Sequence, residues 1–573
     1  MTFPFRRAAT AALALSMAFG PVTPAVSQEP AGAYLAGRAA TFDSDFSAAA
    51  DYYTRALVRD PGNVELMESV VFSQLALGEL LRALPVAQRM WDENVSSQVA
   101  NMVMAGGFSQ AHDYQALLDR DLVTQGIGPL VDGLMLGWAL LGAGSVPEAL
   151  AQFDSVGEDE GLRMFAQYHR ALALASVGDY EAAEAMFAAN DGRLTLITRR
   201  AALARVQILS QLGRNEQALA TLENAFGTQL DPGLSNLFDR LTADETLPFT
   251  HAPTVTDGIA EVFYTVASAL SGEAADEYVL IYARMASVLS PTHVDSVLLS
   301  ADLLDNLGRY ELSVATYKQV PVGHPDYHAA EMGRAEALRR AAKPEAAIEV
   351  LEQLIREFPA QPTVYSALGD LQRQQENYAA AVTAYDSAMT YLDEHNAANW
   401  FLLYARGISL ERLDQWDRAE ADFRAALVLN PGRPEVLNYL GYSLVEKQIK
   451  LDEALDMIER AVAARPESGY IVDSLGWVLY RLGRYDEAVG HMEQAVELMP
   501  VDAVVNDHLG DVFWAVGRYL EAEFQWKRAL SFVDPEDTDS EADPDRIRRK
   551  LEIGLDEVLV EEGEEPLKLA NDG

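Results

Sequence analysis

Cysteine is absent from this chain of 573 residues, and basic residues are few. Without cysteine there is no disulfide bond, no thiol catalysis and no cysteine-ligated zinc site. The 44 lysine and arginine residues stand against 87 aspartate and glutamate residues, which gives a formal net charge of −43. Non-specific nucleic-acid binding depends on clustered basic side chains, so this balance argues against a nucleic-acid partner. A charge of this size and sign instead keeps a long, open chain soluble.

Long apolar runs are also absent, apart from one at the amino terminus. Arg6 and Arg7 precede the apolar residues 8–20, and residues 25–27 (Ala-Val-Ser) supply the small side chains that a signal peptidase recognises. We interpret residues 1–27 as a cleaved signal peptide, so that the mature chain begins near Gln28 and is periplasmic. The alternative, a retained membrane anchor, needs a longer apolar core. We expect no integral membrane segment after cleavage, and the lack of cysteine excludes lipidation through a lipobox.

Recognisable catalytic motifs are missing as well. The sequence contains none of the patterns G-x-S-x-G, H-E-x-x-H, G-x-G-x-x-G or the phosphate-binding loop. His324 and His328 lie four residues apart with Asp326 between them, a spacing that metal ligands can have. Pro325 prevents the pair from sharing one regular helical turn and a third ligand is lacking, so we interpret them as ordinary surface histidines. The sequence predicts no enzyme, no metal and no cofactor; the alternative is an enzyme of an unrecognised type.

What the chain does contain is a pattern that returns about every 34 residues. One position of the pattern is small in every one of these copies except that at Val71: Gly37, Val71, Gly137, Ala171, Ala301, Ala335, Gly369, Gly407, Gly441, Gly476 and Gly510. The best copies add Gly or a polar residue seven positions later, a large apolar residue sixteen later and Pro twenty-four later, as in Gly476, Gly483, Met492 and Pro500. A two-helix unit of this size cannot bury its apolar face alone, so the copies must stack.

These residues resemble the tetratricopeptide repeat (TPR), a helix-turn-helix unit in which small residues let the two helices touch. The resemblance is strongest at residues 473–500 and 503–530. It implies an all-α fold, an α-solenoid (right-handed superhelix) of TPR repeats. It also implies a scaffold that binds a protein or peptide partner without catalysis.

The repeats predict an organisation in segments. A signal peptide (1–27) is followed by an N-terminal TPR array (28–230), an irregular joint or insertion (231–257) with several prolines, and a C-terminal TPR array (258–533). Residues 534–560 form an acidic break and a capping helix, which Asp543 and Pro544 begin as N-cap and first-turn residue. Residues 561–573 are expected to be a disordered acidic tail.

Helix geometry indicates where a partner would bind. At about 100° per residue, the positions −3, +1, +4 and +5 from the repeat glycine fall in one stripe of the first helix. In TPR proteins this stripe lines the concave groove, and the resemblance carries that role to the stripes around Gly441, Gly476 and Gly510. The predicted partner-binding residues are Asn438, Tyr442, Asp473, Trp477, Tyr480, Arg481, Asp507, Asp511 and Trp514.

Other interpretations of these residues remain open. Trp477 and Trp514 are alternatively core residues between neighbouring repeats, and the polar members are alternatively buried and paired. The acidic residues in the stripe outnumber Arg481, which disfavours a carboxylate ligand and favours amide, hydroxyl or basic groups. If the stripe binds a partner, replacing Tyr480 and Asp473 together is expected to abolish capture while stability stays unchanged.

A closer resemblance rests on the last third of the chain. Residues 404–412 (YARGISLER), 438–442 (NYLGY), 473–477 (DSLGW) and 508–514 (HLGDVFW) are similar to large proteobacterial envelope TPR proteins. That group includes the outer-membrane lipoprotein adaptor of a carboxyl-terminal processing protease, so the resemblance implies a periplasmic protease as partner. This chain lacks the lipid-anchoring cysteine of the adaptor. The alternative role is an assembly or scaffold factor for cell-envelope or polysaccharide export machinery.

Overall fold

Helix is the only regular secondary structure in the part of the chain that the computed structural model describes, residues 29–189, 198–227, 230–392, 396–534 and 541–564. The predicted all-α fold of helix pairs is therefore confirmed for these residues. The predicted signal peptide and residues 565–573 of the predicted tail lie outside them. Among the helices described, none is long and apolar enough to cross a membrane. The chain divides into two compact units, residues 1–343 and 344–573.

The first unit contains eighteen of the helices described. Their bounds are α1 (Glu29–Phe42), α2 (Phe46–Arg59), α3 (Val64–Ala76), α4 (Leu80–Asp92), α5 (Gln98–Gln110), α6 (Tyr114–Leu118), α7 (Pro129–Gly142), α8 (Val146–Val156), α9 (Arg163–Ser176), α10 (Tyr180–Ala189), α11 (Arg199–Gln211), α12 (Asn215–Phe226), α13 (Pro232–Thr242), α14 (Val255–Leu270), α15 (Asp276–Leu289), α16 (Val294–Asn306), α17 (Tyr310–Tyr317) and α18 (Tyr327–Arg340).

The second unit contains the remaining helices described. They are α19 (Pro344–Glu357), α20 (Pro362–Gln374), α21 (Tyr378–Met389), a short 3-10 helix (Ala397–Asn399), α22 (Trp400–Arg412), α23 (Trp416–Leu429), α24 (Pro434–Glu446), α25 (Leu451–Ala464), α26 (Gly469–Arg481), α27 (Tyr485–Leu498), α28 (Ala503–Ala515), α29 (Tyr519–Phe532), α30 (Pro544–Ile553) and α31 (Leu555–Glu561).

The repeated small residue marks the point where the two helices of a repeat touch. A Cβ atom added to Gly510 would lie 2.4 Å from the Trp526 ring, sixteen residues later, and one added to Gly407 would lie 2.6 Å from Phe423. Both distances are too short for a real Cβ, so only glycine allows these helices to approach so closely. The turn between the two helices needs a residue with positive φ, which Gly483 supplies at φ 73°. The predicted spacing thus follows from packing.

The groove side of the N-terminal array is filled by two helices of the same unit. α14 packs on α5, α7 and α9, and α15 packs on α3 and α5, all of them first helices of repeats. A Cβ on Gly258 would lie 2.3 Å from the Trp138 ring, and one on Gly106 would lie 2.5 Å from the sulfur of Met285. Arg284 also donates a hydrogen bond to the carbonyl oxygen of Ala76, at 3.1 Å. This array therefore presents no open groove along α3 to α9.

A buried carboxylate holds α14 to its neighbours. Glu261 is fully buried and accepts hydrogen bonds from Tyr168 (2.9 Å), Arg200 (2.9 Å) and His293 (3.0 Å). The backbone N–H of Ser296 donates to His293 Nδ1, so the other ring nitrogen carries the proton that Glu261 accepts. Burial alone would raise the pKa of Glu261, but Arg200 and His293 hold it below its usual range. Residues of α9, α11, α14 and the start of α16 thus meet in one buried cluster, in which the Glu261 charge is neutralised and hydrogen-bonded.

The predicted joint at residues 231–257 does not coincide with the division in the structure. Part of it is helix α13, because Asp231 accepts a hydrogen bond from the N–H of Leu234 and Pro232 fits the first turn. The compact units instead divide after Lys343. The difference arises because α14 and α15 pack on earlier repeats, a long-range contact that the repeat period does not encode.

The second unit continues the pattern of helix pairs from α20 to α29 and ends with α30 and α31. Asp543 caps α30 by accepting hydrogen bonds from the N–H groups of Asp545 (2.8 Å) and Arg546 (3.3 Å), as its position before Pro544 predicts. The single capping helix expected from the sequence is two helices. Gly554, with φ 87°, separates them.

Candidate functional site

The predicted partner-binding residues gather on α24, α26 and α28, the first helices of three successive repeats in the second unit. Two adjoining cavities of about 670 and 530 Å³ lie along this face. The larger is lined by Tyr442, Trp477, Tyr480, Arg481, Asp507 and Asp511, and the smaller by Asn438, Tyr442 and Asp473. Trp514 lines neither cavity. We call the two cavities together the α24–α28 groove.

Aromatic rings stack along the wall of the groove. The Trp477 ring lies parallel to that of Tyr480, with centroids 4.8 Å apart, and to that of His508, at 3.9 Å. Trp477 also donates a hydrogen bond from Nε1 to Glu446, at 3.0 Å. Both faces and the polar edge of Trp477 are thus occupied within the chain. Within the groove, Trp477 therefore holds its neighbours in place.

Asp473 is buried and paired with His508. His508 Nδ1 lies 3.1 Å from the Asp473 carboxylate. Burial would lower the pKa of His508, but the charge and hydrogen bond of Asp473 raise it to about 9, so the ring is protonated at neutral pH. Replacing Asp473 would leave a buried positive charge without its partner. We therefore expect the double replacement of Tyr480 and Asp473 to lower stability, which differs from the expectation from sequence.

Asp507 and Asp511 are paired with one lysine of the C-terminal helix α30. Lys550 Nζ lies 2.9 Å from both oxygens of Asp507 and 2.6 and 2.8 Å from those of Asp511. The Lys550 side chain is fully buried, and Trp526 donates a further hydrogen bond to Asp511, at 2.8 Å. These two carboxylates therefore face the protein's own helix.

Other contacts of the same segment reach the groove. Glu541 accepts a hydrogen bond from the Tyr442 hydroxyl, at 2.7 Å, and Asp556 accepts one from Trp514 Nε1, at 2.9 Å. Residues 541–556 thus cover Trp514 and one edge of Tyr442. Sequence reasoning missed Glu541 and Lys550. The available signal was a lysine next to Ile547 and Leu551 on the apolar stripe of the predicted capping helix.

Three predicted residues keep unused hydrogen-bonding groups. Within the described part of the chain, Arg481 has no carboxylate partner, and neither the Tyr480 hydroxyl nor Asn438 Oδ1 has a hydrogen-bond partner. Arg481 is half-buried, whereas Tyr480 and Asn438 are buried. Burial, followed by the charge of Asp511, raises the pKa of Tyr480 well above its usual range, so its hydroxyl is a neutral donor. These groups can bind the carbonyl, amide or carboxylate groups of a peptide.

Metal ligation has no candidate cluster in the described ranges. No cluster of three or more His, Asp or Glu side chains there has the geometry to hold a metal ion. His324 accepts a hydrogen bond from the backbone N–H of Asp326 (3.1 Å), and burial lowers its pKa. Burial also lowers the pKa of His328.

Comparison with known proteins identifies the repeats. Residues 298–362, 332–399 and 404–468 match one tetratricopeptide repeat model, and residues 472–500 match a second. These stretches are tetratricopeptide repeats, and repeats of this family form scaffolds for protein–protein interaction.

Relatives match over part of their length. TPR repeat-containing protein PA4667 of Pseudomonas aeruginosa is 27% identical over 173 residues, 29% of this chain and 28% of that protein. Human protein O-mannosyl-transferase TMTC1 is 26% identical over 193 residues, 34% of this chain and 21% of that protein. The matched region thus spans about a quarter of the length of these curated relatives. The crystal structure of the APC/C hetero-tetramer Cut9-Hcn1 aligns with 92% of this chain and 97% of its own, at 15% identity and a TM-score of 0.37.

Proposed function

We propose that the protein is a non-catalytic periplasmic scaffold that binds a protein partner in the α24–α28 groove. The observation that carries the proposal is a contrast between the two units. The groove side of the first unit is filled by α14 and α15, whereas the second unit keeps open cavities with unused polar groups. A TPR scaffold binds through such a surface, so the second unit is where a partner fits.

The chemistry of the groove supports a peptide with hydrogen-bonding side chains or an exposed backbone. The negative charge that the sequence predicts for the groove is largely neutralised within the chain. His508 pairs with Asp473, and Lys550 pairs with the two aspartates of α28. A strongly basic ligand is therefore not required. Arg481 and the Tyr480 hydroxyl are the donors left for a partner's carbonyl or carboxylate oxygens.

The partner we propose is an envelope protease, for which the protein acts as an adaptor. The resemblance of residues 438–442, 473–477 and 508–514 to envelope TPR proteins supports this role. Periplasmic location rests on the predicted signal peptide.

Arg481→Glu tests the proposal because Arg481 is half-buried in the groove and has no partner among the described residues to lose. The matched control is Arg460→Glu, on the exposed outer side of α25. Tagged full-length protein is used to capture partners from the native envelope. Arg481→Glu should weaken capture at least about tenfold, whereas Arg460→Glu should bind as the wild type does.

A protease assay completes this test. Adding the wild-type protein should raise the activity of a captured protease, and Arg481→Glu should raise it far less. Equal capture by both variants would contradict the assignment of the groove. Recovery of envelope assembly or polysaccharide export proteins without a protease would contradict the adaptor role and favour the alternative scaffold.

A further inference from the structure

A separate cavity of about 470 Å³ lies in the first unit, between α11 and α13. α13 is followed by residues 243–254, which contain turns and bends but no helix, and this segment closes one side of the cavity. Residues 292–295 and 324–326 complete its wall. The volume is in the range of ligand pockets and takes one large side chain with its neighbouring peptide groups.

Apolar side chains make most of the cavity wall. They are Leu203 and Val206 from α11, Leu237 from α13, Leu247 from residues 243–254, and Val294 from α16. Leu203 and Leu237 are half-buried, so part of each side chain is exposed to the cavity. An apolar group that fills this space would be removed from water. The part of each lining side chain that faces the cavity would be removed from water with it.

Three paired arginines form the polar rim: Arg199, Arg200 and Arg240, which pairs with Glu245 at 2.7 Å. Arg199 pairs with Asp326 at 3.1 Å and also with Asp231 at 3.0 Å. Arg200 pairs with Asp295 at 2.7 Å and with the buried Glu261. Each guanidinium therefore has carboxylate partners already, and the rim calls for no ligand with a net charge.

The two histidines at the cavity do not change this balance. Burial, followed by the charge of Arg200, lowers the pKa of His251 to about 3, and burial lowers the pKa of His324. Both rings are neutral at neutral pH. The rim thus offers guanidinium donors beside carboxylate acceptors, and each of its guanidinium groups already has a carboxylate partner.

We propose that this cavity binds an uncharged, apolar side chain on an extended peptide segment of a partner. A peptide group carries one N–H donor and one carbonyl acceptor, which match a carboxylate and a guanidinium held side by side. Asp326 accepts the N–H and Arg199 donates to the carbonyl oxygen, while the side chain fills the space between Leu203 and Leu237. The site is independent of the α24–α28 groove and goes beyond the function proposed for it.

Capped pentapeptides of the form acetyl-Ala-Ala-X-Ala-Ala-amide, with X as Leu, Phe, Asp or Lys, test the site. Their binding to the full chain is measured by isothermal titration calorimetry. The Leu and Phe peptides should bind, and the Asp and Lys peptides should bind at least about tenfold more weakly, because a buried charge would lack a partner.

Variants locate the binding. Leu203→Trp fills the cavity and should weaken binding of the Leu peptide at least about tenfold. Leu81→Trp, on the exposed face of α4, should leave this binding unchanged. Arg199→Gln removes the guanidinium and should weaken the binding of every peptide that binds about fivefold. Arg214→Gln, which breaks an ion pair with Glu181 at the surface, is the control. The melting temperatures of Leu203→Trp and of the two controls should match the wild type, which separates lost binding from lost folding. That of Arg199→Gln should fall, because Asp231 and Asp326 lose their shared cation.

Three results would overturn the proposal. They are equal binding of the Asp and Leu peptides, binding by Leu203→Trp as tight as by the wild type, and no binding of any peptide. Dodecanoate serves as a further probe. If dodecanoate binds and the peptides do not, the cavity takes an acyl chain and the peptide assignment is wrong.

Discussion

At the scale of the residue, Lys550 decides whether the end of the second unit is stable. Its fully buried ammonium is the partner that Asp507 and Asp511 share on α30. Lys550→Met keeps the length of the side chain and its helix propensity, but removes the cation that contacts Asp507 and leaves Asp511 only Arg546, whose guanidinium lies 3.6 Å away. We expect a loss of about 3–5 kcal/mol in the free energy of unfolding, measured by urea denaturation of the full chain.

Lys527→Met is the matched control, since Lys527 is exposed and pairs with Glu523 across one helical turn. It should change stability by less than about 0.5 kcal/mol. Hydrogen exchange should place the loss in Lys550→Met at α28 and α30. Similar stability for the two variants would show that Lys550 does not neutralise the buried aspartates.

His508 predicts how the stability of the second unit depends on pH. Its pKa in the folded chain is about 9 against an ordinary value of 6.5, chiefly because Asp473 outweighs the effect of burial. Because the pKa is higher in the folded chain, protonation of His508 stabilises the fold, and this stabilisation is complete below pH 6.5. It is lost as pH rises to about 9. The loss amounts to roughly 1–3 kcal/mol.

His508→Gln is the comparison for this pH dependence. Glutamine does not titrate, so the variant should lack this part of the slope when urea unfolding is followed from pH 6.5 to pH 9. Identical slopes for the wild type and His508→Gln would rule out the proposed coupling to Asp473.

At the scale of the element, the two helices of a repeat depend on glycine only where they touch. Gly510 faces Trp526, whereas a Cβ on Gly490, in the exposed face of α27, would meet nothing within 4 Å. Gly510→Ala should therefore destabilise by about 1–3 kcal/mol through overpacking. Gly490→Ala should stabilise by about 0.5–1 kcal/mol, because alanine favours helix. Thermal unfolding of both variants gives opposite shifts; shifts of the same sign would contradict the repeat packing.

These element contacts are the part of the fold that the sequence predicts best. The small residue, the large residue sixteen positions later and the turn glycine are all local, so Gly476 and Met492 can be paired by counting. The position of α14 and α15 cannot be obtained in this way. Their contacts join distant parts of the chain, such as Tyr168 with Glu261, and the repeat pattern gives them the same signature as any other pair.

The groove residues show the same limit. The stripe around Gly476 correctly places Trp477, Tyr480 and Arg481 beside one cavity. It does not show that the aspartates of α28 are already paired, because Lys550 lies 43 residues after Asp507. Helical periodicity gives the face of a helix, but the partner of a charge on that face depends on tertiary structure.

At the scale of the whole molecule, each unit uses its repeats differently. The first unit packs its own helices α14 and α15 against the first helices of its repeats and has a cavity beside α11. In the second unit, α30 and α31 pack beside α28 and line part of the α24–α28 groove, which stays open. Repeats with one sequence pattern therefore support both internal packing and an open groove.

Site-specific photo-crosslinking tests the central claim, that the partner binds in the α24–α28 groove, most directly. A photo-reactive phenylalanine analogue replaces Arg481 in the groove and, in a second protein, Arg460 on the outer face of α25. Each full-length protein is irradiated in the native envelope and the adducts are identified by mass spectrometry. The account predicts one dominant protein adduct from position 481 and none from position 460. An adduct from position 460 alone would contradict it.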